Sequence, residues 1–234
     1  MRQYLDIGHY REFRVGSPVL SLESYTIHEL IKKNEPEISS KFRTFKVILD
    51  YTCALIALPT IAFIAIILLI LNPFFNRGPL FFRQSRVGQF GRTFRMWKFR
   101  TMLPAKDEVR APNAAVEENR ITPLGRFLRK TRIDEIPNLL NVLTGEMSVI
   151  GPRPDAASHV EYYAPRVHGY ADRHRVKPGI TGLAQVEQGY VESEDATAIK
   201  TMYDNLYVER MCGRLDIYIM LRTFRVMRTG FGAK

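Results

Sequence analysis

Residues 51–71 read YTCALIALPTIAFIAIILLIL, 21 positions without a formal charge. A helix of that length and composition matches the hydrocarbon core of a bilayer, so the segment is expected to enter a membrane. Three features argue against a plain span. Pro59 interrupts the run, removing a backbone donor and bending the helix. Basic residues flank both sides, with Lys41, Arg43 and Lys46 before and Arg77, Arg83 and Arg86 after, so charge gives no orientation. Asp50 stands at the entrance, where headgroups would solvate it. A helix that enters, bends at Pro59 and returns to the same face satisfies both basic flanks. A kinked single-pass helix satisfies the length equally, because proline is tolerated in membrane helices.

The rest of the chain is expected to be one α+β unit, mainly helical. Residues 1–40 read as an N-terminal extension with a short helix near 24–33. They do not read as a secretory leader, since the apolar stretch begins only after residue 46. Residues 41–76 form the membrane-embedded segment and 77–234 the folded domain. Between 72 and 106 there are eight basic residues and no acid, a surface suited to anionic headgroups or phosphates. Within it, 80–82 and 94–99 read as strands of a small β-hairpin around the Gly88–Gly91 turn. A polar loop follows at 104–120, broken by Pro104 and Pro112. Thr122 and Pro123 open a helix as N-cap and first residue, and Pro137–Leu143 is a second helix stopped by Gly145. Gly151-Pro152-Arg153-Pro154 is a rigid turn presenting one arginine, and Lys177-Pro178-Gly179 leads into an extended segment. In the last helix Leu215, Ile219, Phe224 and Met227 share one side while Arg222, Arg225 and Arg228 recur at spacing three. That pattern fits either an amphipathic helix in a membrane interface or a core helix with a solvated basic face.

A net charge of +10 calls for anionic partners without choosing among nucleic acid, phospholipid and phosphorylated substrate. Cys53 and Cys212 make neither a disulfide framework nor a zinc site, and the five histidines are expected on the surface or in loops. Walker, zinc-finger and Gly-x-Ser-x-Gly patterns are missing from the sequence, as is the Asp-x-Asp of many nucleotide-sugar enzymes.

Asp134 and Glu135 stand together in a basic stretch, Arg129-Lys130-Thr131-Arg132-Ile133-Asp134-Glu135-Ile136-Pro137. Pro137 belongs in the first turn of a helix and discourages helical geometry at Ile136, which places the pair at or just outside a helix start. There the helix dipole, with Arg129 and Arg132, favours ionised carboxylates. An ionised aspartate is a competent nucleophile, and a neighbouring glutamate can hold Mg2+ against diphosphate oxygens. Acids also favour first turns for purely structural reasons, so the pair alone leaves both roles open.

Several long motifs in fixed order resemble the bacterial sugar transferases, the small monotopic phosphoglycosyl transferases. They are Gly78-Pro79-Leu80-Phe81-Phe82-Arg83-Gln84-Ser85-Arg86-Val87-Gly88, Lys98-Phe99-Arg100-Thr101-Met102, the run from Arg120 through Asp134-Glu135 to Gly151-Pro152-Arg153-Pro154, and Lys177-Pro178-Gly179-Ile180-Thr181-Gly182. The resemblance implies transfer of a sugar 1-phosphate from a UDP-sugar to polyprenyl (undecaprenyl) phosphate with release of UMP. This would be the first membrane step of exopolysaccharide or other glycoconjugate synthesis. It implies Asp134 as nucleophile and Glu135 as Mg2+ ligand. Lys98, Arg129, Arg153 with Pro152 and Pro154, and Lys177 would lie around the donor. It also implies a re-entrant helix at the bacterial inner (cytoplasmic) membrane, with the catalytic domain on the cytoplasmic face among membrane lipid. The chain departs from the family pattern with Leu58 before Pro59, Leu183 in place of tryptophan, Lys177 in place of arginine, and an unusual segment at 187–195. The alternative is a membrane-tethered basic adaptor for anionic lipid or an acidic partner. A nucleic-acid binder is disfavoured by the uncharged run, and a homo-oligomer is left open.

Overall fold

The computed structural model describes residues 36–103, 117–188 and 194–229. The expected helix near 24–33, most of the 104–120 loop and part of 187–195 lie outside them, as does the side chain of Met227. Helix α1 (Ser40–Phe75) is continuous through Pro59 and Pro73, and Ser39 caps it by accepting a hydrogen bond from the Phe42 amide at 3.2 Å. At ~1.5 Å per residue it is roughly 54 Å long, more than a bilayer core.

One stripe of α1 is buried, with Phe42, Asp50, Ala54, Ile61, Leu68 and Asn72 at spacings of three to four or their multiples, against the folded domain. The remaining surface is exposed and apolar: Ile56 is 71% exposed, Phe63 65% and Phe74 77%. Both ends are tied down by polar contacts. Lys46 Nζ donates to the Ile150 carbonyl at 2.7 Å and to Tyr207 Oη at 3.0 Å, and pairs with Asp216 at 3.2 Å. Asn76 Nδ2 donates to the Arg100 carbonyl at 2.7 Å. Asp50 is not a headgroup residue: it is buried and accepts from Ser148 Oγ at 3.0 Å and the Val149 amide at 2.8 Å. A carboxylate with two donors fixed by the domain has no need of interfacial water.

Strands β1 (Phe81–Val87) and β2 (Thr93–Phe99) form the expected hairpin, antiparallel from Phe81↔Phe99 to Val87↔Thr93. The turn passes through left-handed backbone at Phe90 and Gly91. Helix α2 (Pro123–Lys130) begins as expected, with Thr122 Oγ1 accepting from the Gly125 amide at 2.9 Å. A short 3-10 turn, Ile133–Glu135, leads into α3 (Asn138–Leu143), which gives way to left-handed Gly145. Ile136 is helical despite preceding proline; its packing with Leu128, Phe99 and Ile61 outweighs the local steric preference.

Strand β3 (Ser148–Ile150) runs into the Pro152–Pro154 turn, which precedes α4 (Ala157–Tyr163) and the 3-10 segment Tyr170–Arg175. Strand β4 (Gly179–Thr181) then pairs parallel to β3, Ser148↔Gly179 and Ile150↔Thr181. Helices α5 (Leu183–Glu187), α6 (Glu194–Arg210) and α7 (Gly213–Thr229) close a core of Ile150, Leu183, Val186, Leu206, Tyr207 and Ile219. The proposed common side of α7 is split: Ile219 is buried and Leu215 packs on this core, whereas Phe224 is exposed beside Leu221 and Ile217. His174 is also buried, against the expectation of surface histidines.

Candidate active site

Asp134 and Glu135 are placed by the apolar residues around them. Ile133, Ile136 and Leu139 pack with Phe99, Leu128, Ile61 and Leu68, which pins the turn between α1 and the hairpin. Asn141 then fixes α3 along the β2 edge, accepting from the Trp97 amide at 3.0 Å and donating to the Arg95 carbonyl at 2.9 Å. This register brings Lys98 to Glu135, with Nζ 2.9 Å from Oε1.

The second cation arrives from the far side. Gly151 donates to the Thr181 carbonyl at 2.9 Å, and Gly179 to the Pro152 carbonyl at 2.9 Å, so the parallel strands clamp the proline turn. A Cβ on Gly179 would stand 2.1 Å from the Gly151 nitrogen, which explains glycine there. The turn aims Arg153 at Glu135, with Nη1 3.1 Å from Oε2 and Nη2 bonded to Oε1, a fork-to-carboxylate pair. Pro152 and Pro154 are both buried.

Behind the turn lies an ionic network for which the sequence offered no assignment. Asp155 accepts from Tyr170 Oη at 2.6 Å, from Lys200 Nζ at 2.8 Å and from Arg173. Arg173 also donates to the Arg153 carbonyl at 2.6 Å and pairs with Asp204 at 2.8 Å. The sole local hint was Asp155 directly following the proline turn, because Arg173, Lys200 and Asp204 lie 18 to 49 residues further on. Beside it His174 is pulled down to about 3 by burial and by Arg173, so its imidazole is neutral.

The two acids differ in electrostatics. Burial opposes ionisation of Glu135, but Arg153 and Lys98 outweigh it and hold the carboxyl well below its ordinary range. Asp134 goes the other way: burial first and Glu135 second raise it, against Lys98, Arg129 and Arg153. The expectation of two carboxylates kept ionised by a positive setting therefore holds for Glu135 and reverses for Asp134. Lys98 is itself pulled down by burial, against Glu135.

Arg129 donates to Thr101 Oγ1 at 3.1 Å and Met102 Sδ at 3.3 Å while exerting its charge on Asp134. Lys177 is exposed, near Gly145 and the Asp50 carboxylate. Asp134, Glu135, Lys98 and Arg153 thus converge, Arg129 stands at the edge, and Lys177 is placed elsewhere on the surface.

Among the described residues no group of three His, Cys, Asp or Glu could form a protein-only metal cage. Two adjacent carboxylates nevertheless suit Mg2+, which takes one or two carboxylates and completes its shell with water and phosphate. Asn138, the first residue of α3, is buried with neither amide atom hydrogen-bonded within the protein.

A family model described as bacterial sugar transferase matches residues 41–230. The chain is similar to a UDP-N-acetylgalactosamine-undecaprenyl-phosphate N-acetylgalactosaminephosphotransferase of Aeromonas hydrophila, 39% identical over 186 residues, covering 80% of this chain and 44% of that protein. Two UDP-glucose:undecaprenyl-phosphate glucose-1-phosphate transferases are 42% identical. The one from Klebsiella pneumoniae matches over 150 residues, 63% of this chain and 32% of its own. The one from Caulobacter vibrioides matches over 148 residues, 62% and 55%. The match thus spans about half of these relatives' length or less.

Proposed function

The chain belongs to the bacterial sugar transferase family, and on that footing we propose that it moves a sugar 1-phosphate from a UDP-sugar to polyprenyl phosphate, releasing UMP. The observation that carries this reading is Glu135 clamped between Lys98 and Arg153 beside the buried Asp134. A carboxylate pair inside a cation cluster provides both a nucleophile and a cradle for phosphate oxygens.

Asp134 attacks the sugar-bearing phosphorus, forming an aspartyl phosphosugar and expelling UMP; the polyprenyl phosphate oxygen then attacks the same phosphorus and regenerates the carboxylate. Arg153 and Lys98 orient the diphosphate and balance charge as the UMP oxygen leaves. Glu135 keeps both cations in place, and its Oε2, which accepts from Arg153 alone, is the oxygen that would hold Mg2+, with Asp134 next to it in the chain. When bound, the metal neutralises charge on the diphosphate.

The membrane part of the reading rests on α1. Its exposed apolar surface needs lipid, while Lys46 and Asn76, near its two ends, bind the same domain. A helix docked on one folded unit near both its ends keeps those ends on that unit's side of the membrane, which supports monotopic embedding at the cytoplasmic face of the inner membrane, with Pro59 the position at which a re-entrant helix would bend. The adaptor alternative gives no reason to bury Asp134 against its ionised neighbour.

The decisive experiment mixes purified protein, Mg2+, polyprenyl phosphate and a panel of UDP-sugars and measures UMP. Release with at least one sugar, lost in Asp134→Asn, is the expected result. Asp134→Asn turning over near the wild-type rate would reject the nucleophile.

A further inference from the structure

Arg86 of β1 lies among the charges of the site. It feels Arg153, Asp155 and Glu135 and acts on Lys98. Its guanidinium is anchored on one side, with Nη2 donating to Gln84 Oε1 at 2.5 Å and Nη1 making a long contact of 3.4 Å to the Pro154 carbonyl. Nε is buried with no hydrogen-bond partner in the protein. Burial and the like charge of Arg153 pull this arginine down to about 10.

The charges around it do not balance. Lys98, Arg153 and Arg86 are cations, and Glu135 is the carboxylate that holds two of them. Counting Asp134 as a second carboxylate, three cations still face two acids. Asp155, the other acid within reach of Arg86, is already shared between Lys200 and Arg173. A buried cation facing a second cation, with a donor unused, is costly in the empty protein. The cost is removed when an anion enters. Arginine donors suit phosphate oxygens, and Nη1, whose contact with the Pro154 carbonyl is long, is the one an entering oxygen can take, on the turn that carries Arg153.

We infer that Arg86, held by Gln84, is a phosphate ligand for the nucleoside diphosphate donor, completing from the hairpin side the cradle that Lys98 and Arg153 begin. The inference rests on the transferase reading for the identity of the donor, and its test is separable from that reading.

Full-length protein in detergent is titrated calorimetrically with UDP and with uridine, which lacks phosphate, for wild type, Arg86→Gln and Arg86→Lys. Arg86→Gln is expected to cut the UDP-to-uridine affinity ratio by about tenfold or more, the scale of one lost charge-assisted contact. Arg86→Lys should recover part of it, and the KM for UDP-sugar should rise in parallel. Because the charge is unfavourable in the empty protein, the ligand-free Tm of Arg86→Gln should equal or exceed that of wild type. An unchanged ratio overturns the proposal whatever happens to Tm, and so does a wild type that does not prefer UDP to uridine. Failure of UMP release alone would reject the transferase reading while leaving the affinity ratio to decide on Arg86.

Discussion

Asp134 and Glu135 are chain neighbours whose surroundings shift them in opposite directions, and under the proposed mechanism that difference separates nucleophile from metal ligand. Glu135 is held ionised by the two cations it binds, so it cannot readily release them to serve as a nucleophile. Asp134 stays closer to protonation, which ties activity to pH. Its folded pKa lies above the ordinary aspartate value of about 3.9, so the reactive carboxylate is lost as pH falls through that raised value. The acid limb of kcat/KM should accordingly sit above pH ~4. Glu135→Gln removes one raising influence and leaves Lys98 and Arg153 to act on Asp134, so the limb of its residual rate should move to lower pH. An unmoved limb would mean another group sets it. Asp134→Asn should abolish UMP release, by a factor on the order of 10³ or more, without lowering Tm, because the ionised carboxylate is disfavoured by its burial. For Glu135 the folded pKa is depressed. The stability from its clamp is therefore complete above its unfolded value of about 4.3 and is lost as pH falls below that towards the folded one. The acid pair was visible in the sequence, but the contrast between a buried Asp134 and a cation-clamped Glu135 was not, because burial and the reach of Lys98 depend on how β2 meets α3.

At the scale of elements, the short parallel pair β3–β4 matters more than its size suggests. It fixes the proline turn, and through that turn Arg153. Gly179→Ala would drive a methyl into the Gly151 backbone, so Tm should fall by the equivalent of about 2 kcal/mol or more and activity should fall with it. A variant with wild-type Tm and kcat would show that the turn does not depend on this contact. The hairpin and both helix starts could be read locally, from Gly91, from Thr122 with Pro123, and from Pro137, because those signals act within a few residues. The β3–β4 pairing could not, since its partners are some 30 residues apart and three-residue strands carry little pattern. The same limit hid Asp155, Arg173, Lys200 and Asp204, which are ordinary charged residues until tertiary structure gathers them. Helix α1 shows the reverse case. Its apolar length was evident, but Lys46 and Asp50, which looked like interfacial charges, turn out to be its fastenings. Lys46→Met would leave Asp216, fully buried, without its cation and should cost about 3 kcal/mol in chemical unfolding; adding Asp216→Asn should restore part of that loss. Full stability of the single variant would show that Asp216 is satisfied by Tyr207 alone.

For the whole molecule, the placement of α1 gives a topological prediction. In a background lacking Cys53 and Cys212, single cysteines at Ser40 and Arg77, near the ends of α1, should both react with an impermeant thiol reagent from the cytoplasmic side of sealed vesicles. Labelling from opposite sides would establish a transbilayer helix and break the contacts of Lys46 or Asn76. The docking of both ends also has a mechanical consequence. If the proposed re-entrant embedding holds, the helix leaves on the side where it entered and adds its cross-section to one leaflet alone. Every bound molecule therefore widens that leaflet relative to the other and is favoured where the monolayer is already stretched. Loosely packed, highly curved vesicles should take up more of the protein than flat ones of the same lipid.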